Sequence, residues 1–347
     1  MDADELVTAA DDGNKVPPNA VGILVRLVNL FGILAIAGSA FSLAANQYWI
    51  ADLAVQFRVQ YLIMLLPAIV VWVRKRRSKL SIIGGLALAA NLWPVIPYLI
   101  PYGYSTAATP ELSDPDQTSF RILVVNVLRT NESLKATLDE ILNENVDFVF
   151  LMEVAPAWKS PLEGLLDRYP HQKLICRDDY TGVAFLSRYA WDHLEVVDTN
   201  DANPPLDIFF ASLVGQPGPF RLIATHPLPP FGPSMTAARD RQLNTLAKRC
   251  QLKQATLLVG DFNLTPWSPR FRQMVDAGGL QDASLGYGIS PTLTPLPTLI
   301  GGLKVDHVLV NSGIIIRNYQ LKPCAHSDHK LVTVDFTIAR PDHEPAL

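Results

Sequence analysis

The feature that most narrows the fold is a run of 24 residues, Leu27–Ile50, without a single Asp, Glu, Lys or Arg. As a helix rising 1.5 Å per residue it would extend about 36 Å, more than the roughly 30 Å of a bilayer's hydrocarbon core. A second uncharged run, Val59–Val73, is shorter, but Arg58 can snorkel to the interface and Trp72 suits headgroup level. A third, Leu80–Ile100, ends among Trp93, Pro94, Tyr98, Pro101 and Tyr102. Three such runs divided by short loops read as membrane-spanning helices rather than buried core helices. They are expected near 24–48, 56–73 and 80–101, in a block over 21–101 that follows a polar tail, 1–20. The first run is too long for a cleaved signal peptide, and an acidic segment precedes it. Arg74–Lys79 reads RKRRSK, five bases in six residues, and a short basic loop marks the cytoplasmic side. With three crossings, the amino terminus lies inside and everything after the third helix outside. The chain is then an integral protein of the inner or plasma membrane, facing the periplasm or exterior in a bacterium, with the lipid bilayer as its partner.

Charge separates the two parts of the chain. Up to Pro110 there are six acids and eight bases; after it there are 27 acids and 21 bases. An acidic carboxy-terminal part argues against broad, sequence-blind affinity for duplex DNA, which rests on many Lys and Arg contacts to phosphate. Cys176, Cys250 and Cys324 are widely spaced and form no CxxC, so they read as buried apolar residues rather than zinc ligands or a disulfide framework.

Residues 102–118 are polar and proline-bearing and read as a linker. From Phe120 onward short strands alternate with helices. RILVVNV, DFVFLMEV and TGVAFLSR are apolar strands, and SLKATLDEILNEN is an amphipathic helix with Leu134, Leu138, Ile141 and Leu142 on one face. IFFASLV and PFRLIAT flank GQPG as a hairpin, and a helix through Arg239–Gln251 leads to the strand ATLLVGDFN. DHVLVNS and KLVTVDFTI close a domain expected over 119–340, leaving a tail at 341–347. Many strands with few helices between them suggest two packed sheets with helices outside.

Polar residues stand where the apolar strands stop. Asn126 follows RILVV, Glu153 follows FVFLM, His226 follows LIAT, and Asp261 with Asn263 follows LLVG. Asp306 and His307 open VDHVLV, and Asp328 and His329 belong to AHSDH. Strand ends on a rigid sheet can hold a site to the tolerance catalysis demands. Asn, Glu and Asp are hard oxygen ligands suited to Mg²⁺ or Mn²⁺, and no His/Cys cluster has zinc spacing. Phosphate-ester hydrolysis needs a metal to neutralise oxygen charge, a base for water and donors for the developing charge. The set supplies each.

In their order, the Asn after the first strand, FLMEV, TGVAFLSR, ATHPLPP, GDFNLTPWS, KVDHVLVNSG and SDHKLV resemble the endonuclease/exonuclease/phosphatase superfamily over about Phe120–Thr337. The resemblance implies a four-layer α/β sandwich, two packed mixed β-sheets flanked by helices, here preceded by about three transmembrane helices. It implies a Mg²⁺- or Mn²⁺-dependent hydrolase acting on phosphate esters. Glu153 is then the principal metal ligand, Asn126 helps position metal and phosphate, and Asp328 lies beside the metal. Asp261 orients or deprotonates the attacking water and Asn263 bonds a phosphate oxygen. His226 contacts the phosphoryl oxygens, and His329 is a second histidine, oriented by Asp306. The family often has an aromatic residue before the VDH strand, where this chain has Leu293, and that departure bears on the substrate rather than on the hydrolytic chemistry.

Other residues carry plainer readings. His307 is structural, His171 and His193 are surface residues, and Ser327 and Thr265 support local turns. Tyr180 could line the cleft, and Arg239, Arg241, Lys248, Arg249 and Lys253 form a solvated basic face. The substrate is a phosphodiester or phosphomonoester, with nucleic acid, a phospholipid headgroup and an inositol or other small phosphate all open; an unspecified phosphodiesterase or nuclease ranks first and a lipid-directed phosphodiesterase second. A different class, a catalytically inactive membrane-bound binding module, is opposed by the completeness of the set.

Overall fold

The computed structural model describes residues 18–101, 119–198, 207–213, 220–251, 254–294 and 301–339. The expected linker, the carboxy-terminal tail, nearly all of the amino-terminal tail and the GQPG turn lie outside them. The chain forms two compact units, one of residues 1–41 and 58–93, the other of residues 42–57 and 94–347.

The first unit contains α1 (Pro18–Phe41), α3 (Arg58–Arg74) and α4 (Ser78–Leu92). Among the described residues one helix, continued to Ala44, is long and apolar enough to cross a membrane. The expectation of about three spans is corrected here. The second run is split: α2 (Trp49–Val55) and α3 meet at a bend of 59°, and only as one bent pair do they reach spanning length. The third run stops at Leu92 after 15 residues. Pro94 follows, and Pro97 falls within the four-residue α5 (Ile96–Leu99); proline lacks the amide N–H that would continue a helix. Trp72 is fully buried rather than interfacial, its Nε1 donating to Asn29 Oδ1 at 2.8 Å. α1 keeps large apolar side chains exposed along much of its length, among them Leu24, Leu30 and Leu34.

In the second unit, two six-stranded mixed sheets pack face to face. The first follows the order β11 (Ile314–Pro323), β12 (Lys330–Ile338), β1 (Phe120–Asn126), β2 (Phe148–Met152), β4 (Val183–Ser187) and β3 (His171–Ile175). The second follows β5 (Trp191–Asp198), β6 (Asp207–Leu213), β7 (Phe220–Thr225), β8 (Thr256–Asp261), β10 (Asp306–Val310) and β9 (Gln281–Asp282). Period-two alternation explains why the central strands are apolar throughout. Ile122, Val124, Phe148, Phe150, Leu257 and Val259 point between the sheets. Leu123, Val125, Val149 and Leu151 point outward to α6 (Leu134–Asn143) and α7 (Lys159–Glu163), while Ile223 and Leu258 point to α8 (Pro233–Cys250) and α9 (Pro269–Gly278). The result is helix, sheet, sheet, helix.

Each sheet has one parallel pair at its centre, β1 with β2 and β7 with β8, so four strands end on one edge. β12 and β10 run antiparallel to these pairs and begin on that edge. α8 starts earlier than the sequence suggested because Gly232, at φ 113°, turns the chain and Pro233 opens the helix. Arg239 departs from the solvated reading, being fully buried.

Candidate active site

The common edge collects the polar residues singled out in the sequence. Asn126 ends β1, Glu153 follows β2, His226 follows β7, Asp261 ends β8, Asp306 opens β10, and His329 precedes β12. Asp261 and Asp306 are register partners on neighbouring strands.

Asp261 is the hub. Its Oδ2 lies 3.3 Å from Asn126 Nδ2, 3.6 Å from His226 Nε2 and 3.8 Å from His329 Nε2. Its Oδ1 accepts from the Asn263 backbone N–H at 2.8 Å. Asn126 Nδ2 also donates to Glu153 Oε1 at 2.9 Å, joining the two carboxylates through one amide. Glu153 and Asn263 both adopt left-handed backbone, at φ 59° and 51°. For residues with a side chain this costs about 1–3 kcal/mol each, a strain that the surroundings must hold in place. The Arg129 backbone N–H holds Glu153 Oε2 at 3.1 Å, and Asn263 Nδ2 donates to the Pro227 carbonyl at 2.9 Å.

Burial sets the electrostatics. It raises the Asp261 carboxyl above the ordinary range, and the neighbouring Asp306 raises it further. Burial also acts on Asp306, but His329, 2.8 Å away through Nδ1, outweighs it and holds Asp306 low. For His329 burial opposes the charged form, yet Asp306 and then Asp261 and Asp328 push the imidazole up to about 10. The pair therefore stands as carboxylate and imidazolium at neutral pH. His226 Nδ1 is buried without a hydrogen-bond partner, which leaves a ring nitrogen for a ligand.

The residues fit a hard divalent cation. Asp261, Asp306 and His329 each present a ligand atom, all within 4.8 Å of one another. Asp306 Oδ1 and Asp328 Oδ1 are buried without hydrogen-bond partners, a costly state for carboxylate oxygens that a cation relieves. This grouping differs from the metal set drawn from the sequence, since all three of its residues had been assigned to catalysis. Of the expected metal ligands, Asn126 and Glu153 join the cluster through hydrogen bonds. Asp328 is half-buried next to His329, its backbone carbonyl accepting from Thr294 N at 2.8 Å.

Supporting residues separate into expected and unexpected. His307 is a satisfied core histidine, its Nδ1 3.1 Å from Asp282 Oδ2 and its Nε2 2.9 Å from the Leu264 carbonyl. Ser327 Oγ donates to the Asn126 carbonyl and accepts from the His329 N–H, tying two strand ends together. Tyr180 is exposed, with the Arg129 guanidinium 5.0 Å above its ring. Leu293 pairs by backbone bridges with Leu303 and His329, so it sits at the rim beside the second histidine. Thr292 had no signal in the sequence: its fully buried Oγ1 accepts the Val305 and Asp306 N–H groups at 3.1 and 3.0 Å, fixing the start of β10.

No curated protein sequence matches the chain. Among solved structures, the human nocturnin catalytic domain superimposes with a TM-score of 0.53 at 18% identity, covering 64% of this chain and 95% of that one. D. rerio TDP2 complexed with single-strand DNA product gives 0.52 at 16% identity, covering 63% and 99%. The 3′ phosphatase NExo from Neisseria, bound to a product DNA hairpin, gives 0.51 at 19% identity, covering 62% and 98%. These likenesses show a shared fold. Residues 123–329 match the Endonuclease/Exonuclease/phosphatase family, a stretch that begins within β1 and ends on His329, and the chain belongs to that family.

Proposed function

We propose that this protein is a membrane-anchored, Mg²⁺- or Mn²⁺-dependent phosphoesterase that hydrolyses a phosphate ester of a nucleic acid. The observation that carries this reading is the convergence on Asp261 Oδ2 of Asn126 from one sheet and of two histidines, His226 and His329. Family members are hydrolases of phosphate esters that depend on a divalent metal, and TDP2 and NExo are structures with DNA products. The phospholipid-headgroup alternative rests on the anchor alone.

Glu153 and Asn126, with the carboxylates of Asp261, Asp306 and Asp328 around them, would hold the cation, which would supply a positive charge for the phosphoryl oxygens. Asp261, raised by burial and by Asp306, suits a carboxylate that takes a proton from the attacking water. Asn263, fixed by Asp261 and Pro227, bonds a phosphoryl oxygen. His329 presents imidazolium charge that Asp306 orients, and His226 adds a second ring on the same side.

The anchor is α1, whose exposed apolar side chains suit lipid. Residues 42–57 follow it directly and fold with the catalytic unit, so that unit lies on the side to which the carboxy-terminal end of α1 leads. An extracytoplasmic placement with the basic turn Arg74–Lys79 on the cytoplasmic face would require α2 with α3, as one bent pair, and the 15-residue α4 each to cross.

The test is hydrolysis by the full chain in detergent. Single-stranded and duplex DNA, 3′-phosphorylated oligonucleotides, RNA, phospholipids and inositol phosphates are compared with Mg²⁺, with Mn²⁺ and with chelator. Metal-dependent release from a nucleic acid is expected. Asp261→Ala and His329→Ala should each lower turnover by about 10²–10³-fold or more. Metal-independent turnover, or full activity in both variants, would overturn the reading.

A further inference from the structure

Two features outside the family domain reach the loop that carries Asn263. Residues 42–57 precede the domain by more than sixty positions, yet they form one compact unit with it. Asp52, on α2, is 3% exposed, and its two oxygens are divided between two elements. Oδ2 accepts from Arg239 Nη2 of α8 at 3.0 Å, and Oδ1 accepts from Ser268 Oγ at 2.7 Å. Ser268 is also the N-cap of α9, its Oγ accepting from the Arg270 N–H at 3.2 Å. One turn further on, Gln56 is buried and its Oε1 accepts from the Thr265 backbone N–H at 2.6 Å.

These contacts fall on one short stretch. Residues 262–268 leave β8 directly after Asp261, carry Asn263 in strained backbone, and enter α9 at Ser268. From within the domain the stretch is held by His307 Nε2 on the Leu264 carbonyl. From the α2 side it is held by Gln56 at Thr265 and Asp52 at Ser268. A left-handed Asn persists only where its neighbours over-determine it. The Thr265 amide is two residues from it, and its acceptor comes from outside the family domain.

We infer that Gln56 and Asp52 are positioning residues for Asn263 and Asp261: the segment between α1 and α3 is a working part of the active site. This rests on the phosphoesterase reading. It implies that the family domain by itself is an incomplete enzyme. Arg239, fully buried in α8, is bound to this role through Asp52 and through Asp240, whose Oδ1 lies 2.8 Å from Nη2. A neutral replacement of Asp52 strands that guanidinium in the interior and could unfold the unit. Gln56 is therefore the residue to change.

The experiment compares full-length wild type with Gln56→Met, which keeps length and apolar packing and removes the acceptor. Two readouts are taken in detergent with Mg²⁺: hydrogen exchange of the peptide spanning 262–268, and steady-state hydrolysis of the best nucleic-acid substrate. Exchange in that peptide should speed up at least tenfold while peptides from β1 and β8 stay protected. The kcat should fall roughly 10–100-fold with KM within threefold, as a displaced catalytic group costs about this much. Unchanged exchange and unchanged kcat would overturn the inference. So would a fall in kcat accompanied by faster exchange across every strand, which marks general loosening. If wild type hydrolyses nothing, the phosphoesterase reading fails, and the exchange arm still decides whether Gln56 holds the loop.

Discussion

At the scale of single residues, the site is a contest between burial and charge. Asp306 stays ionised in the interior because His329 faces it at 2.8 Å, and His329 stays protonated because Asp306 faces it in return. Asp306→Asn breaks that exchange: the ring loses the partner that fixes both its orientation and its proton. Turnover should fall about 10²-fold or more in steady-state assays, with the fold retained by circular dichroism. The members of this cluster were legible because they recur, in order, where successive apolar strands stop, and those strand ends share one edge of the two sheets. Thr292 was not legible, since a threonine between prolines in a loop looks like any turn residue until its hydroxyl is seen capping two amides. Away from the site, Asp335 faces the half-exposed Arg121 through Nε and Nη2. Burial opposes its charge, but hydrogen bonds from Arg121 and Asn318 hold its carboxyl below the ordinary range. A lowered folded value gives stability above the unfolded pKa of about 3.9 that is lost as pH falls through the folded one. Asp335→Asn should therefore lower Tm at pH 7, and the gap to wild type should close as melts are taken down to about pH 3.

At the scale of elements, the strands that the sequence revealed and those it hid divide by position. RILVVNV, FVFLM, VAFLS, LLVGD and VDHVLV are interior strands covered on both faces, so they appear as unbroken apolar runs. β3, β5, β9 and β11 went unseen, and these are the four edges of the two sheets. Edge strands carry polar and charged residues, as β3 does with His171-Gln172-Lys173, and the run signal vanishes there. The third uncharged run failed for the opposite reason: its composition was apolar, but Pro94 and Pro97 cut its backbone. The interior pairs also bring two backbones very close together. Gly260 sits at φ 151° opposite Thr225, and a Cβ there would lie 1.8 Å from the Thr225 carbonyl oxygen. Gly260→Ala must push β7 and β8 apart just where His226 and Asp261 depart from them. Backbone strain alone should cost about 1–3 kcal/mol, read as a lower midpoint in denaturant. Activity should drop further than Tm does, because the histidine and the carboxylate separate together.

At the scale of the molecule, the interleaving of the two units constrains how the chain meets a bilayer. Residues 42–57 and 94–347 fold as one body, while 58–93 belong to the other. If α1 anchors the chain, both ends of that inserted stretch would lie on one side of the membrane, and it would cross an even number of times or not at all. An account that counts apolar runs one at a time cannot see this, because the constraint comes from Asp52 meeting Arg239 and Gln56 meeting Thr265 far along the chain. Tyr48, past the end of the spanning helix in residues 42–57, and Leu166 are both exposed. With Cys176 replaced by serine, since Cys250 and Cys324 are buried, Tyr48→Cys and Leu166→Cys give two reporters for an impermeant maleimide in sealed vesicles. They should label from the same side and together, whichever way the vesicles face. Labelling from opposite sides would mean that residues 42–57 and the catalytic domain never meet in the membrane-bound protein, and the support they give to Asn263 would go with that meeting. Arg76→Cys, in the basic turn between α3 and α4, reads the inserted stretch itself: protection where the other two react places that turn across the bilayer and the phosphoesterase on the face opposite to its five bases.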